Sequence, residues 1–258
     1  MIVTGVIIAF SGFDWNVVPQ RAVGTAFQSC QGGAMATRTA RRTGALSKER
    51  IVEAAIGILD ADGEGALTFR ALSARLATGS GAIYWHIADK QALVAAATDH
   101  IIAGMMAGLA TPRAPQDAIR AVALGVFDAL DAHPWMGALL SGNPWQRAVL
   151  RILESVGRQV QALGVPDDAL FNATTALMNA ILGIAAQHAA AARLPRDTER
   201  SAHLTAMAAE WAELDPAEYP FVRQLAAHVP GHDDREQFLA GINLVLTGIE
   251  SIRERSPR

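Results

Sequence analysis

TFRALSARLATGSGAIYWHIADK, residues 68–90, decides how this chain is read. It holds two short helical patterns joined by a tight turn, then the start of a third. Phe69, Leu72 and Leu76, at i, i+3 and i+7, form one apolar stripe, and Thr68 before them has N-cap chemistry. Ala77-Thr78-Gly79 breaks the period, and glycine's conformational freedom assigns the positive φ of the turn to Gly79. Ser80 reads as the next N-cap. Ile83 and Ile87, at i and i+4, pack inward, which leaves Ser80, Gly81, Ala82, Tyr84 and His86 facing out. A short helix that shows small residues, a tyrosine and a histidine to solvent is poor core material. It suits a DNA major groove, where small residues admit the base edges and Tyr84 and His86 reach phosphates.

At these residues the chain resembles the TetR family of transcriptional regulators, close to its tetracycline-repressor branch. Ile83-Tyr84-Trp85-His86, followed by Asp89-Lys90, is similar to that family's recognition helix, with its aromatic pair and histidine, and to the lysine opening its next helix. Ala66 to Leu72 looks like the family's second helix. The resemblance is strong over roughly residues 47–108; beyond them it rests on helical pattern.

The resemblance implies an all-α protein with an N-terminal three-helix helix-turn-helix DNA-binding domain and a larger helical ligand-binding and dimerisation domain. It implies DNA contacts from Thr68, Arg70, Thr78, Gly79, Ser80, Gly81, Ala82, Tyr84, Trp85, His86 and Lys90. Arg70 is a candidate for bidentate contact to guanine, the commonest specific base contact, with a salt bridge to Asp89 as the structural alternative. Lys90 lies in a first helical turn, where backbone N–H groups also attract phosphate. Trp85, beside Ile83, reads as at least half structural, wedged under the recognition helix. Residues 78–82 are small, so specificity is expected to lean on Arg70, Thr78, Ser80 and DNA shape.

The chain has 258 residues, room for one small module and one larger helical domain. Its net charge of −3 excludes polyanion binding by bulk charge, but the charge is uneven. Arg38, Arg41, Arg42, Lys48 and Arg50 outnumber Glu49 and Glu53, which makes a basic arm ahead of the helix-turn-helix or a solvated tail. The one cysteine, Cys30, excludes an internal disulfide and is compatible with a reducing cytoplasm. No contiguous apolar run reaches the ~18 residues of a membrane span.

Residues 1–34 have neither helical period nor caps, and Met35 is expected to be the translation start; a genuine extension is the alternative. The expected organisation is a disordered extension and basic arm over residues 1–46, a DNA-binding domain over 47–92 and a ligand-binding and dimerisation domain over 93–258. The first helix starts after Ser47 with Ile51, Ala55, Ile58 and Leu59 inward and ends at Gly63 in an αL conformation. Asp89 caps the fourth, which runs to about Leu109 with Leu93, Ala97, Ile101 and Gly104 as its stripe. Pro112 and Pro115 mark a linker. A fifth helix buries Ile119, Val122, Val126, Phe127 and Leu130 and stops at His133-Pro134. Further helices are expected near 136–140, 145–163, 168–193, 198–214, 221–228 and 233–253.

His100, Met105, Phe127, Trp135, Met178 and His188 have the chemistry of a cavity for an apolar, partly polar ligand; core packing is the plain alternative for each. His100, on the helix leaving the DNA-reading module, is the foremost. No His/Cys/Asp/Glu spacing calls for a metal, and no cofactor motif is present. The small residues of 173–192 and the broad apolar surface of the last helix, Phe238, Leu239, Ile242, Leu244, Leu246 and Ile249, suggest the interface of a homodimer. The reading is a non-enzymatic, cytoplasmic repressor on double-stranded DNA, with a near-palindromic operator, released by a small-molecule inducer. A helical small-molecule-binding protein or enzyme with a vestigial helix-turn-helix is the alternative.

Overall fold

The computed structural model describes residues 46–142, 146–191 and 198–255. The start at Met35, Cys30, Arg38, Arg41 and Arg42 of the basic arm, and Trp145 lie outside them. Among the described residues every regular element is a helix: α1 (Lys48–Ala66), α2 (Phe69–Leu76), α3 (Ser80–Tyr84), α4 (Lys90–Gly108), α5 (Pro115–Ala132), α6 (Met136–Gly142), α7 (Arg147–Ala162), α8 (Asp167–Ala191), α9 (Thr198–Ala212), α10 (Pro220–Leu225) and α11 (Asp234–Arg255), with a 3-10 turn at Ala226–His228.

Three of the first four helices start on side chains that satisfy orphan backbone donors. Ser47 accepts from the Arg50 amide, Thr68 from that of Ala71 at 3.1 Å, and Asp89 from that of Ala92 at 2.7 Å. α1 does not stop at Gly63. It passes through that residue at φ 75°, ψ 178°, a region open essentially to glycine alone, and makes one more turn to Ala66. Gly63 therefore kinks the helix rather than ending it in αL.

α8 is the centre of the larger body and packs against α5, α6, α7 and α11, while α5 also meets α4, α7 and α11. Ile119, Val122, Val126, Phe127 and Leu130 of α5 are all buried, as their spacing requires. α4 buries Leu93, Val94, Ala97, Thr98 and Ile102. Its stripe thus turns away from Gly104, which is exposed, because α1 and then α5 and α7 take successive sides of this helix. Asp167–Ala190 of α8 is long and apolar enough, by length and composition, to cross a membrane. Asn172, Thr174, Thr175 and Asn179 interrupt it, so it contains no contiguous apolar run of that length. Leu177, Met178, Ile181, Ala185 and Ala189 are buried against the surrounding helices, the pattern of a core helix.

The last helix corrects one expectation. Phe238, Ile242, Leu246 and Ile249 are buried within the subunit, against α8 and α5. Leu246 is therefore intramolecular core and not a subunit contact. Leu244, two residues away on the opposite face, is 77% exposed.

Candidate nucleic-acid interface

α2 is fixed by Leu72, fully buried, and by the Thr68 cap. After Leu76 the chain turns on Ala77, at φ 49°, ψ 47°. The Thr78 amide donates to the Ser73 carbonyl at 3.0 Å and the Ala77 amide to that of Ala74 at 3.3 Å. These are the 6→1 and 5→2 bonds of a Schellman ending, which requires αL at the first residue past the helix. The apolar stripe ends at Leu76, so that residue is Ala77, despite a steric cost of roughly 1–2 kcal/mol for a residue with a Cβ. Gly79, expected to carry the positive φ, is extended at φ −77° and stands in the N-cap position of α3. Ser80 is accordingly the first helical residue and not the cap.

α3 touches the core through Ile83, fully buried, and the chain just past it is pinned by Ile87. Gly79, Ser80, Gly81, Ala82, Tyr84, Trp85 and His86 are all exposed; Thr78 is half-buried. Trp85 is 90% exposed and is not wedged beneath the helix. Ile83 and Ile87 occupy the inward positions, and a residue two places from each faces the other way. Tyr84 is 56% exposed, and its ring lies flat on Phe69, centroids 4.3 Å apart and planes 8° from parallel.

Arg70 projects from α2 as an exposed side chain. The Asp89 carboxylate meets the Ala92 amide, and no ion pair joins it to Arg70 among the described residues. Lys90 is tied back: its ammonium donates to the Glu64 carbonyl at 2.5 Å and lies 4.0 Å from the Glu64 carboxylate. A solvent-exposed pair of this kind is worth only about 0–1 kcal/mol, so a phosphate can displace it.

The six candidate ligand residues do not converge on one cavity. His100 is exposed. Phe127 is buried between His188 and Phe238, with ring centroids 4.5 and 4.9 Å away. The two ring nitrogens of His188 each lie 3.1 Å from a carboxylate oxygen, of Asp131 and of Asp234. Met178 is buried, and Met105 packs beside Gly125. Trp135 donates its indole N–H to the Asp60 carboxylate at 2.7 Å, an oxygen that His133 Nδ1 also approaches at 2.7 Å. This clasp joins α1 to the segment between α5 and α6. It could not be read from the sequence, because its partners are 73 and 75 residues apart. Among the described residues no three His, Cys, Asp or Glu side chains are grouped to hold a metal.

Two clefts touch α4. One, of about 540 Å³, lies between the end of α1, the first turns of α4 and α6, with Trp135 in its wall. The other, of about 590 Å³, is bounded by Met106 and Leu109 of α4, Val122 of α5 and Arg151 and Arg158 of α7. A hydrogen bond from the Arg151 guanidinium to Asp99, reinforced by their opposite charges, raises its pKa above the ordinary arginine value.

Residues 51–97 match the family model of bacterial regulatory proteins of the tetR family, and residues 111–253 match the tetracyclin repressor-like C-terminal domain. A TetR transcriptional regulator of known structure from Streptomyces coelicolor is 52% identical, with a TM-score of 0.72 over 81% of this chain and 100% of that one. BioQ, solved with its natural double-stranded DNA operator, is 25% identical, with a TM-score of 0.52 over 80% of this chain and 99% of its own. An HTH-type transcriptional regulator from Saccharopolyspora erythraea is 27% identical over 79% of this chain and 84% of its own length.

Proposed function

The chain belongs to the TetR family of bacterial transcriptional regulators, and from that premise we propose that it is a dimeric repressor that a small molecule releases from a near-palindromic operator. One observation carries the DNA-binding half of this reading. α3 is sealed to the core by Ile83 and Ile87, while every residue from Gly79 to His86 except Ile83 faces solvent. Such a helix is built to be covered by something outside the subunit. Its small residues admit a groove floor, and Arg70, Tyr84, His86 and Lys90 surround it with donors for phosphates and base edges. BioQ binds double-stranded DNA with the same fold, which supports a groove as the partner.

In this reading residues 47–92 form the DNA-reading head, residues 93–258 bind ligand and dimerise, and the protein works without catalysis in the cytoplasm. Two outward stripes rich in small residues favour dimerisation. Ala176, Asn179, Gly183, Gln187 and Ala190 on α8 are exposed and spaced three or four apart, and on α11 the exposed Ala240, Thr247 and Gly248 each lie three or four residues from the exposed Leu244. A two-fold pairing through them would set two copies of α3 about one DNA turn apart, roughly 34–36 Å. The cleft beside Met106 and Leu109 is the candidate inducer site, because it grips the far end of the helix that begins at Lys90. A ligand preferring one tilt of α4 lowers DNA affinity by its differential binding to the two states.

Selection of genomic fragments by the full-length protein tests the reading. Enrichment of a near-palindromic sequence, with half-sites about one helical turn apart, is the expected result. Binding with no sequence preference would leave a helical ligand carrier.

A further inference from the structure

The cleft at the junction of α1, α4 and α6 has an unbalanced lining. Glu64 and Asp89 bring two carboxylates to it, and among the described residues no lysine, arginine or histidine lines it. Gln146 lines it as well, and its side-chain oxygen is buried, with no hydrogen-bond partner among the described residues. A buried acceptor left unpaired is costly, so natural structures almost always provide a donor. Lys90, next to Asp89 in sequence, engages Glu64 chiefly through its backbone carbonyl, with the carboxylate 4.0 Å off. Apart from Gln91, the remaining wall is apolar, with Trp135, Leu139, Ala95 and Val94 in it. Trp135 is held in place by its bond to Asp60, so the wall is fixed. At about 540 Å³ the space falls in the ordinary size range of small-molecule sites, roughly 300–1,000 Å³.

We propose that this junction cleft is a small-molecule site, separate from the α4–α5–α7 cleft, and that it takes a compact organic cation. The occupant carries several N–H donors, as an amine or amidine does, on a flat apolar body. The donors meet Gln146 Oε1 and the carboxylates of Glu64 and Asp89, and the body lies against an indole wall, a surface that attracts cations. Asp89 Oδ1 already caps α4, and a carboxylate can accept a further hydrogen bond while doing so. The occupant bridges α1 and α4 to α6, so its binding is linked to how those helices sit against one another.

Benzamidine and benzoate, flat ions of nearly the same shape and opposite charge, form the test on the full-length protein, free of DNA. Ligand-observed NMR titrations give both dissociation constants. Benzamidine is expected to bind about tenfold or more tighter than benzoate. Gln146→Leu and Glu64→Gln should each weaken benzamidine by about threefold or more, and Gln146→Glu, which adds a carboxylate at the same place, should strengthen it. Circular dichroism checks that each variant is folded, and only folded variants are compared. Equal affinity for the two ions, no binding of benzamidine, or an affinity unchanged within about twofold in every folded variant would overturn the proposal. None of these outcomes bears on operator binding.

Discussion

The rings of Phe69 and Tyr84 stack at 4.3 Å, and this contact orients the DNA-facing helix on the helix before it. α3 has five residues and one fully buried side chain, too little to hold its own direction. The stack adds a second anchor on the side away from Ile83. Tyr84→Phe keeps the stack and removes only the hydroxyl. Its thermal midpoint should match that of the parent, while affinity for operator and for unrelated DNA should fall together, since the hydroxyl is assigned to a phosphate. Phe69→Ala should do the reverse in stability, costing about 1 kcal/mol or more, and should also weaken operator binding without touching DNA itself. Melting curves and mobility-shift titrations of both variants check this.

Ala77 is the one residue other than glycine with a positive φ among the described residues. Ala77→Gly relieves an αL strain and should stabilise the protein by up to about 1 kcal/mol, with operator affinity unchanged. Ala77→Val should destabilise by a similar amount or more, because branching at Cβ is worse tolerated at this φ. Chemical denaturation at matched m-values measures both. A loss of stability in Ala77→Gly would mean that the turn is not held as described.

How legible the head was in sequence follows from where its constraints lie. Phe69, Leu72, Leu76, Ile83 and Ile87 could be placed because each faces a core that helical period alone defines. The αL residue could not, since a shift of one residue in the end of α2 moves it from Gly79 to Ala77. Trp85 was misplaced by neighbourhood: nearness to Ile83 in sequence suggested burial, whereas helical geometry sends residue i+2 to the opposite face. The tie from Lys90 to Glu64 and the clasp from Trp135 to Asp60 are invisible to periodicity, being encounters between distant segments. The ligand residues fared worst. Met, Phe and His that line a cavity and those that fill a core have the same spacing, and here Phe127 and Met178 are core.

To neutralise a phosphate, Lys90 must first leave Glu64, whose carbonyl and carboxylate it meets in the free subunit. Lys90→Ala should weaken specific and non-specific DNA alike and lower the slope of log K against log salt by about 0.9, the counterion release of one phosphate contact. Titrations at four or five salt concentrations give the slope. An unchanged slope would remove Lys90 from the DNA interface and leave it as a strap on α1.

Trp135→Phe tests the clasp between α1 and the body. It preserves most of the packing but removes the indole N–H that meets the Asp60 carboxylate at 2.7 Å. A hydrogen bond to a charged, partly exposed acceptor contributes about 1–2 kcal/mol, with His133 still present to share the load. The midpoint of thermal unfolding should fall by several degrees, at roughly 2–4 °C per kcal/mol for a chain of this size. No change would show that the carboxylate is served equally well by water.

Leu244 and Leu246 separate subunit association from folding. Both lie on α11, but Leu246 is 2% exposed, packed inside the subunit, while Leu244 is 77% exposed on a stripe of small residues. The sequence could not tell them apart, since a helix apolar on two faces does not say which face meets its own chain. Leu246→Arg places an unpaired charge in the core, at a cost of several kcal/mol, and should give unfolded or insoluble protein. Leu244→Arg costs the folded subunit almost nothing, since the guanidinium stays in water. In a two-fold pair it brings two such charges together across the symmetry axis, or sets each against an apolar patch. The variant should keep its helical circular dichroism and run as a monomer by light scattering. Operator affinity should collapse, because a single head engages one half-site. A dimer that survives Leu244→Arg with full operator affinity would place the subunit contact away from the outer face of α11.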